Sequence, residues 1–264
     1  MKINLIYSQT RSMTRNAPTD LVETGLDAVD RGELAFLGYP LTQLSLDLFK
    51  KPNRDFLGAE RVLLPPNPSR KIADCSLLDA LDARESSLEF SADGAVSVEE
   101  LAGILRFGCG ESDKQRYGHR RRFYPSGGAL YPLSCYLLAR KVGGIHPGIY
   151  AYEASSHSLR RIEDCGISFD EYFHAQEATP HMFQAQLAMV LVASLSNAYF
   201  KYGERAWKLA LIEAGHMSQN IYLACAASGL KVNALGGFSD RTLRKRLLLD
   251  RHTERVVYPL LLGR

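Results

Sequence analysis

The sequence predicts an α+β fold, and three observations carry that prediction. Strand-like and helix-like segments mix without a regular βαβ repeat. One long run, residues 202–228, is rich in helix formers and is apolar or small nearly all round its middle, as a buried helix would be that forms the spine of the fold or of a subunit interface. Neither G-x-G-x-x-G nor a P-loop occurs, so a dinucleotide-binding or NTPase fold has no support. The expected architecture is a central antiparallel or mixed sheet flanked by helices around that long helix.

Residues 1–75 are weakly patterned. They hold a possible edge strand at 2–7, an irregular Leu-rich stretch at 33–57 and then VLLPPNPSRK, whose prolines break regular structure. They read as an N-terminal extension, with the core domain at 76–264. In the core, Ser97 and Glu100 of SVEELAGIL form a capping box, and a helix should follow to about Phe107. Residues 108–128 are polar and rich in Gly and Arg, and read as loop. Residues 133–142 read as a strand. Alternating segments 149–153 and 159–162 flank SSHS and read as a hairpin. Thr179 and Pro180 suit the N-cap and first position of a short helix. The apolar run 186–195 is too short to span a bilayer and reads as a buried strand. The long helix should end before Gly229 as its C′ residue. A strand at 231–235, a helix at about 240–248 and a strand at 256–262 complete the chain.

Composition sets broad limits. Of the 264 residues, 46% are hydrophobic and 23% charged, enough for a sizeable core without staples. Five scattered cysteines without a C-x-x-C argue against a disulfide framework or structural zinc and for a reducing, cytoplasmic setting. The N-terminus lacks a signal-peptide pattern, and no segment calls for a membrane. A formal charge of +3 is mild. The basic runs at 119–122 and 241–246 lack interleaved stacking aromatics, which argues against nucleic acid.

Four segments carry the candidate chemistry. In RRFYPSGGALYP, Arg122 offers a fixed cationic fork, and Ser126, Gly127, Gly128 and Ala129 are small enough for backbone amides to approach a ligand; the same residues also describe a tight turn on a basic surface. In FKYGERAW, Lys201 and Tyr202 are adjacent bases at a strand-to-helix junction. The amine would lower the phenol's pKa and burial would lower the amine's, so either could act near neutral pH, unless the pair is a solvated Lys and a packed Tyr. In IEAGHMSQN, Glu213, His216, Gln219 and Asn220 lie in a helix expected to be buried, so they need protein partners or a cofactor. Glu213 and His216 are a single pair, so no metal site is expected. In LGGFSD, two glycines before a capped helix could present amides to a phosphate or flavin edge, or form a plain turn.

In order and spacing, the stretches RRFYPSGGALYPLSCYLL, HPGIYAYEASSHSLRRI, FKYGERAWKLALIEAGHMSQNIYLACAASGL and ALGGFSDRTLRKRLLLD resemble the SagB-type dehydrogenases. These are the azoline-oxidase branch of the nitroreductase superfamily, which includes the flavin subunits of thiazole/oxazole-modified microcin synthetases. The likeness covers most of 97–264. It implies a nitroreductase-like FMN-binding fold and an obligate homodimer with flavin at the interface. It implies flavin contacts at Arg122, Pro125, Ser126, Gly127, Gly128, Ala129, Gln219, Gly236, Gly237 and Phe238, and matches the Lys-Tyr pair of azoline oxidases at Lys201 and Tyr202. RESSLEF, at 84–90, matches the family's R-x-S-x-R-x-F at Arg84 and Ser86, but Leu88 replaces the second arginine. Pro132-Leu133-Ser134 stands where the family has Pro-Leu-Glu, losing the acid.

The function implied is oxidation of thiazoline or oxazoline rings of a ribosomal precursor peptide to azoles. Tyr202 or Lys201 would take the acidified Cα proton, the Cβ hydrogen would leave as hydride to flavin N5, and O₂ would reoxidise the flavin. The partners expected are the azoline-containing peptide and the cyclodehydratase subunits of a synthetase complex, with 1–75 a possible docking segment. Two rival readings are an NAD(P)H-dependent nitro- or quinone reductase, which has no need of Lys201 and Tyr202, and a non-catalytic scaffold for a cyclodehydratase, which would be colourless.

Overall fold

The architecture follows from one strand that buries both faces. A computed structural model describes residues 59–67, 69–116, 119–174 and 181–264. The expected strand at 2–7, the stretch at 33–57 and the Thr179-Pro180 helix start lie outside them. The apolar run expected as a strand is β7 (Leu187–Ser194), buried at every position. Its Leu187, Met189, Leu191 and Ala193 join one apolar cluster, and Ala188, Val190 and Val192 join another on the opposite face. Both sets of alternating positions are therefore apolar, which is why no polar alternation marks the strand.

Around it stand β1 (Arg61–Leu63), β4 (Leu133–Ala139), β5 (Gly148–Glu153), β6 (Ser158–Asp164), β8 (Lys231–Ala234) and β9 (Glu254–Gly263). They form one sheet in the order β1-β6-β5-β4-β7-β9-β8, and every ladder is antiparallel. β5 and β6 make the expected hairpin, with Glu153 opposite Ser158. β1 pairs with β6 at the sheet edge, so a strand from within 1–75 completes the sheet of 76–264.

The helices are α1 (Arg70–Asp74), α2 (Leu77–Ala83), α3 (Val98–Cys109), α4 (Ser196–Tyr202), α5 (Arg205–Ser228) and α6 (Asp240–Arg246). α3 and α5 cover one sheet face through Leu101, Ile104, Leu105, Ala210, Ala214, Met217 and Ile221. Phe169, Tyr172, Phe173 and Leu243 of α6 cover the other. α3 begins at the expected capping box: the Glu100 amide donates to Ser97 Oγ at 3.2 Å, and the Ser97 amide donates to Glu100 Oε2 at 3.1 Å. Arg264 then clamps the chain end to Glu100, with Nη2 at 2.7 and 2.8 Å from the two carboxylate oxygens.

Two expectations are corrected. The helix expected from 202 starts later, at Arg205, because Gly203 takes a φ of 56° and ends α4 before α5 starts. Lys201 and Tyr202 thus occupy the last turn of α4 rather than the first turn of the long helix. α5 does end as expected at Gly229, left-handed at φ 68°. Within the expected loop 108–128, β2 (Glu111–Arg116) and β3 (His119–Arg122) pair as a separate hairpin. Its strands are polar on both faces, so no apolar alternation announced them. Within the single chain, α5 is buried on one side and open on the other. Leu211 and Ile212 are 42% and 47% exposed, and His216 and Gln219 are also exposed, whereas Glu213 is 2% exposed. Among the described residues no helix is long and apolar enough to cross a membrane.

Candidate functional site

The turn between β3 and β4 and the end of α4 meet. Gly128 has a φ of 60°, and Ala129 and Tyr131 follow at 54° and 49°. Left-handed backbone is open to glycine and costs other residues on the order of 1 kcal/mol or more, so this turn needs external support. Ser126 provides it: its hydroxyl accepts the Tyr131 amide at 3.0 Å and donates to Glu213 Oε2 from α5. A Cβ on Gly128 would strike Tyr202 Oη and stand 2.6 Å from Lys201 Nζ. Glycine is therefore required here for close approach of the chain's own amine and phenol, a reason distinct from the expected approach of a ligand. Gly127 packs toward Leu209, 3.2 Å from where its Cβ would be.

Burial sets the electrostatics. Lys201 Nζ lies 5.2 Å from the Tyr202 ring centroid. Partial desolvation lowers the Lys201 amine's pKa, as expected, and raises that of the Tyr202 phenol, against expectation. The amine sits over the ring, and the loss of water around the phenol dominates its shift. Tyr202 is accordingly held as a neutral donor. Burial also pushes the Glu213 carboxyl up to about 7, although its bond from Ser126 and the Arg122 charge pull the other way. Among the described residues its Oε1 meets no geometric hydrogen-bond partner, although the Leu133 amide also favours the charged form.

Arg122 faces inward. Its Nη1 donates to the Cys109 carbonyl at 3.0 Å and to Tyr124 Oη at 3.2 Å, and its guanidinium lies 5.5 Å from the Tyr131 ring centroid. This charge supports the floor of the turn. Pro125 is exposed on the turn's outer side.

A second group gathers about nine residues further along α5, roughly 13 Å at 1.5 Å per residue. Tyr222 Oη meets Ser86 Oγ at 3.0 Å and accepts the Ala234 amide at 2.9 Å, while the Arg84 guanidinium lies 5.9 Å from the Tyr222 ring. Two residues beyond Ala234, Gly236 is exposed with nothing within 4 Å of a would-be Cβ. The Gly237 carbonyl accepts the His174 amide at 3.0 Å, and Phe238 bridges to Phe173. This donor set fits the phosphate and edge of a flavin. Among the described residues Arg84 has no salt-bridge partner, Ser86 is exposed, and the space beside Gly236 is open. Gln219 stands on the exposed stripe of α5 between the two groups.

The expected site residues thus fall into two half-sites. One holds Arg122, Pro125, Ser126, Gly127, Gly128, Ala129, Lys201 and Tyr202; the other holds Arg84 and Ser86 at Tyr222, with Gly236, Gly237 and Phe238 following Ala234 in the chain. Glu213 was legible only as a buried polar residue, and its bond to Ser126, 87 positions away, had no local signal. Tyr222, which unites Arg84, Ser86 and Ala234, gave none.

Comparison with known proteins bears on this arrangement. A sequence model of the nitroreductase family matches residues 81–264. A protein of Methanocaldococcus jannaschii named as a nitroreductase is 32% identical over 193 residues, spanning 72% of this chain and 90% of its own. The microcin B17-processing protein McbC of Escherichia coli is 29% identical over 67% of this chain and 64% of its own length. The trifolitoxin-processing protein TfxB of Rhizobium leguminosarum is 25% identical over 59% of this chain; the match spans less than half of its length, 44%. In fold, the chain is similar to one in the E. coli microcin synthetase McbBCD complex with truncated pro-MccB17 bound, with a TM-score of 0.60, 23% identity and coverage of 96% of each chain. A Ralstonia eutropha structure titled as a nitroreductase gives a TM-score of 0.62 at 21% identity, covering 77% of this chain and 89% of its own.

Proposed function

The chain belongs to the nitroreductase family, and from that premise we propose that it is an FMN-dependent dehydrogenase that converts thiazoline or oxazoline rings of a ribosomal precursor peptide to thiazole or oxazole. The observation that carries this reading is the seating of Lys201 Nζ and Tyr202 Oη on Gly128. A reductase fed by a nicotinamide needs no such amine–phenol couple. The similarity to McbC and TfxB, both named as processing proteins of peptide products, supports the substrate class.

Arg84, Ser86, Gly236, Gly237 and Phe238 would hold the cofactor at one end, with Gln219 beside it and Pro125–Ala129 closing over it from the other half-site. Bound FMN supplies a two-electron acceptor for the ring's Cβ hydrogen. The lowered pKa of Lys201 favours its neutral amine, which takes the acidified Cα proton. Tyr202, neutral, donates a hydrogen bond that orients the ring. The exposed Leu211 and Ile212 on α5 suit a homodimer in which each copy completes the other's site. The core domain would be 76–264 completed by β1, with the remainder of residues 1–75 docking the peptide or the cyclodehydratase partners of a synthetase complex.

The test is Lys201→Ala and Tyr202→Phe, each with FMN still bound, assayed by mass for the loss of two hydrogens per ring. The expected result is at least a hundredfold loss for Lys201→Ala, the scale of one general base. Wild-type rates in both variants would remove the assignment.

A further inference from the structure

Glu213 has no place in the mechanism above, yet its carboxyl is buried on α5, at 2% exposure. It reaches the turn that holds the reacting pair. Its Oε2 takes the Ser126 hydroxyl, the same hydroxyl takes the Tyr131 amide, and the three left-handed residues Gly128, Ala129 and Tyr131 lie within or beside that loop of bonds. Gly128 in turn is the surface on which Lys201 Nζ and Tyr202 Oη rest. The second carboxylate oxygen, Oε1, is buried and, among the described residues, makes no geometric hydrogen bond. Burying a carboxyl costs free energy even with a bond from Ser126 and a guanidinium nearby, and a residue chosen for packing alone would be apolar.

We infer that Glu213 is the positioning residue of the Lys201–Tyr202 couple, acting through Ser126 on the turn that seats both side chains. The inference rests on reading that couple as the reacting pair. Around the carboxyl stand the Arg122 guanidinium from β3 and the Tyr124 phenol just after β3; the Cys109 thiol closing α3 faces those two, and Glu111 of β2 faces Arg122. Burial raises the Tyr124 pKa, so that phenol stays neutral, and Arg122 stays charged. Beside the charged Arg122 and the neutral Tyr124, Glu213 changes charge near neutrality, at about 7. Ionised, it accepts a charge-assisted bond from Ser126; protonated, it accepts one roughly half as strong. The grip on the turn, and with it the setting of the phenol and amine, tightens as pH rises.

The experiment follows Tyr202 directly. Holoprotein with tyrosine isotope-labelled at Cζ, the Tyr202 resonance identified by its loss in Tyr202→Phe, is titrated across neutrality by NMR. The wild type should show an inflection near 7 in the Tyr202 signal, absent from Glu213→Gln and from Ser126→Ala. A role in packing alone would give no such inflection. Turnover should fall about tenfold in Glu213→Ala, the worth of one bond to a charged acceptor, and be largely restored in Glu213→Gln, whose amide oxygen can still accept from Ser126. An inflection that persists in Glu213→Gln, or full turnover in Glu213→Ala, overturns the inference. If no variant or wild type forms azoles but the Tyr202 signal still follows Glu213, the proposed reaction fails while the positioning role stands.

Discussion

Replacing Glu213 by glutamine should stabilise the fold, and only at neutral to alkaline pH. The carboxyl's pKa rises from 4.5 to about 7 on folding. Its contribution is therefore fully present below the unfolded value and is lost as pH rises through the folded value. Displacement over that interval corresponds to about 3 kcal/mol. Linkage leaves less than about 1 kcal/mol of this penalty at roughly pH 5 and nearly all of it at roughly pH 8.5. Glutamine is isosteric, keeps the acceptor for Ser126 and is never charged. Urea unfolding of both proteins, at fixed protein and flavin concentration, measures the difference. The expected result is near-equality at the lower pH and a gain of about 2–3 kcal/mol for Glu213→Gln at the higher one. An equal difference at both pH values would refute the assignment of a neutral, buried carboxyl.

Other expectations follow from the same geometry. Gly128→Ala should cost about 1–2 kcal/mol in thermal or urea unfolding, from its φ of 60°. It should also reduce ring oxidation far more than flavin binding, because the new methyl displaces Tyr202 and Lys201. The rate should rise with pH through the lowered pKa of Lys201 and flatten above it; a rate falling with pH over that range would place the base elsewhere. Arg84→Ala should weaken FMN binding by about tenfold to a hundredfold, read from flavin fluorescence quenching, with Ser86→Ala a smaller effect. Arg264→Ala should destabilise by about 1–3 kcal/mol at neutral pH. Although burial opposes it, the Ser97 amide and Arg264 hold Glu100 below its usual pKa, so this effect should be present above the unfolded value and fade as pH falls through the folded one.

Much of the fold is local and was legible. The capping box at Ser97 and Glu100, the left-handed stop at Gly229, the β5–β6 hairpin and the apolar run of β7 each depend on residues a few positions apart, and each stands where the sequence implies. The polar hairpin of β2 and β3 carries no period, and Gly203 inside a run of helix formers is a weak break on propensity alone. Those two elements were decided by what surrounds them.

The site divides in the same way. Sequence alone determined which residue types could do the chemistry: the adjacent Lys201 and Tyr202, the small turn Ser126–Ala129, and the Arg84 and Ser86 pair. Tertiary structure decided how they are used. It turned Arg122 inward to Cys109 and Tyr124, gathered Arg84, Ser86 and Ala234 on Tyr222, and joined Glu213 to Ser126 across 87 positions. The reason is range. Backbone preference and apolar period act over one or two turns, whereas burial and hydrogen-bond partners are settled only when distant segments pack. Desolvation by that packing set the direction of each shift at Lys201, Tyr202 and Glu213.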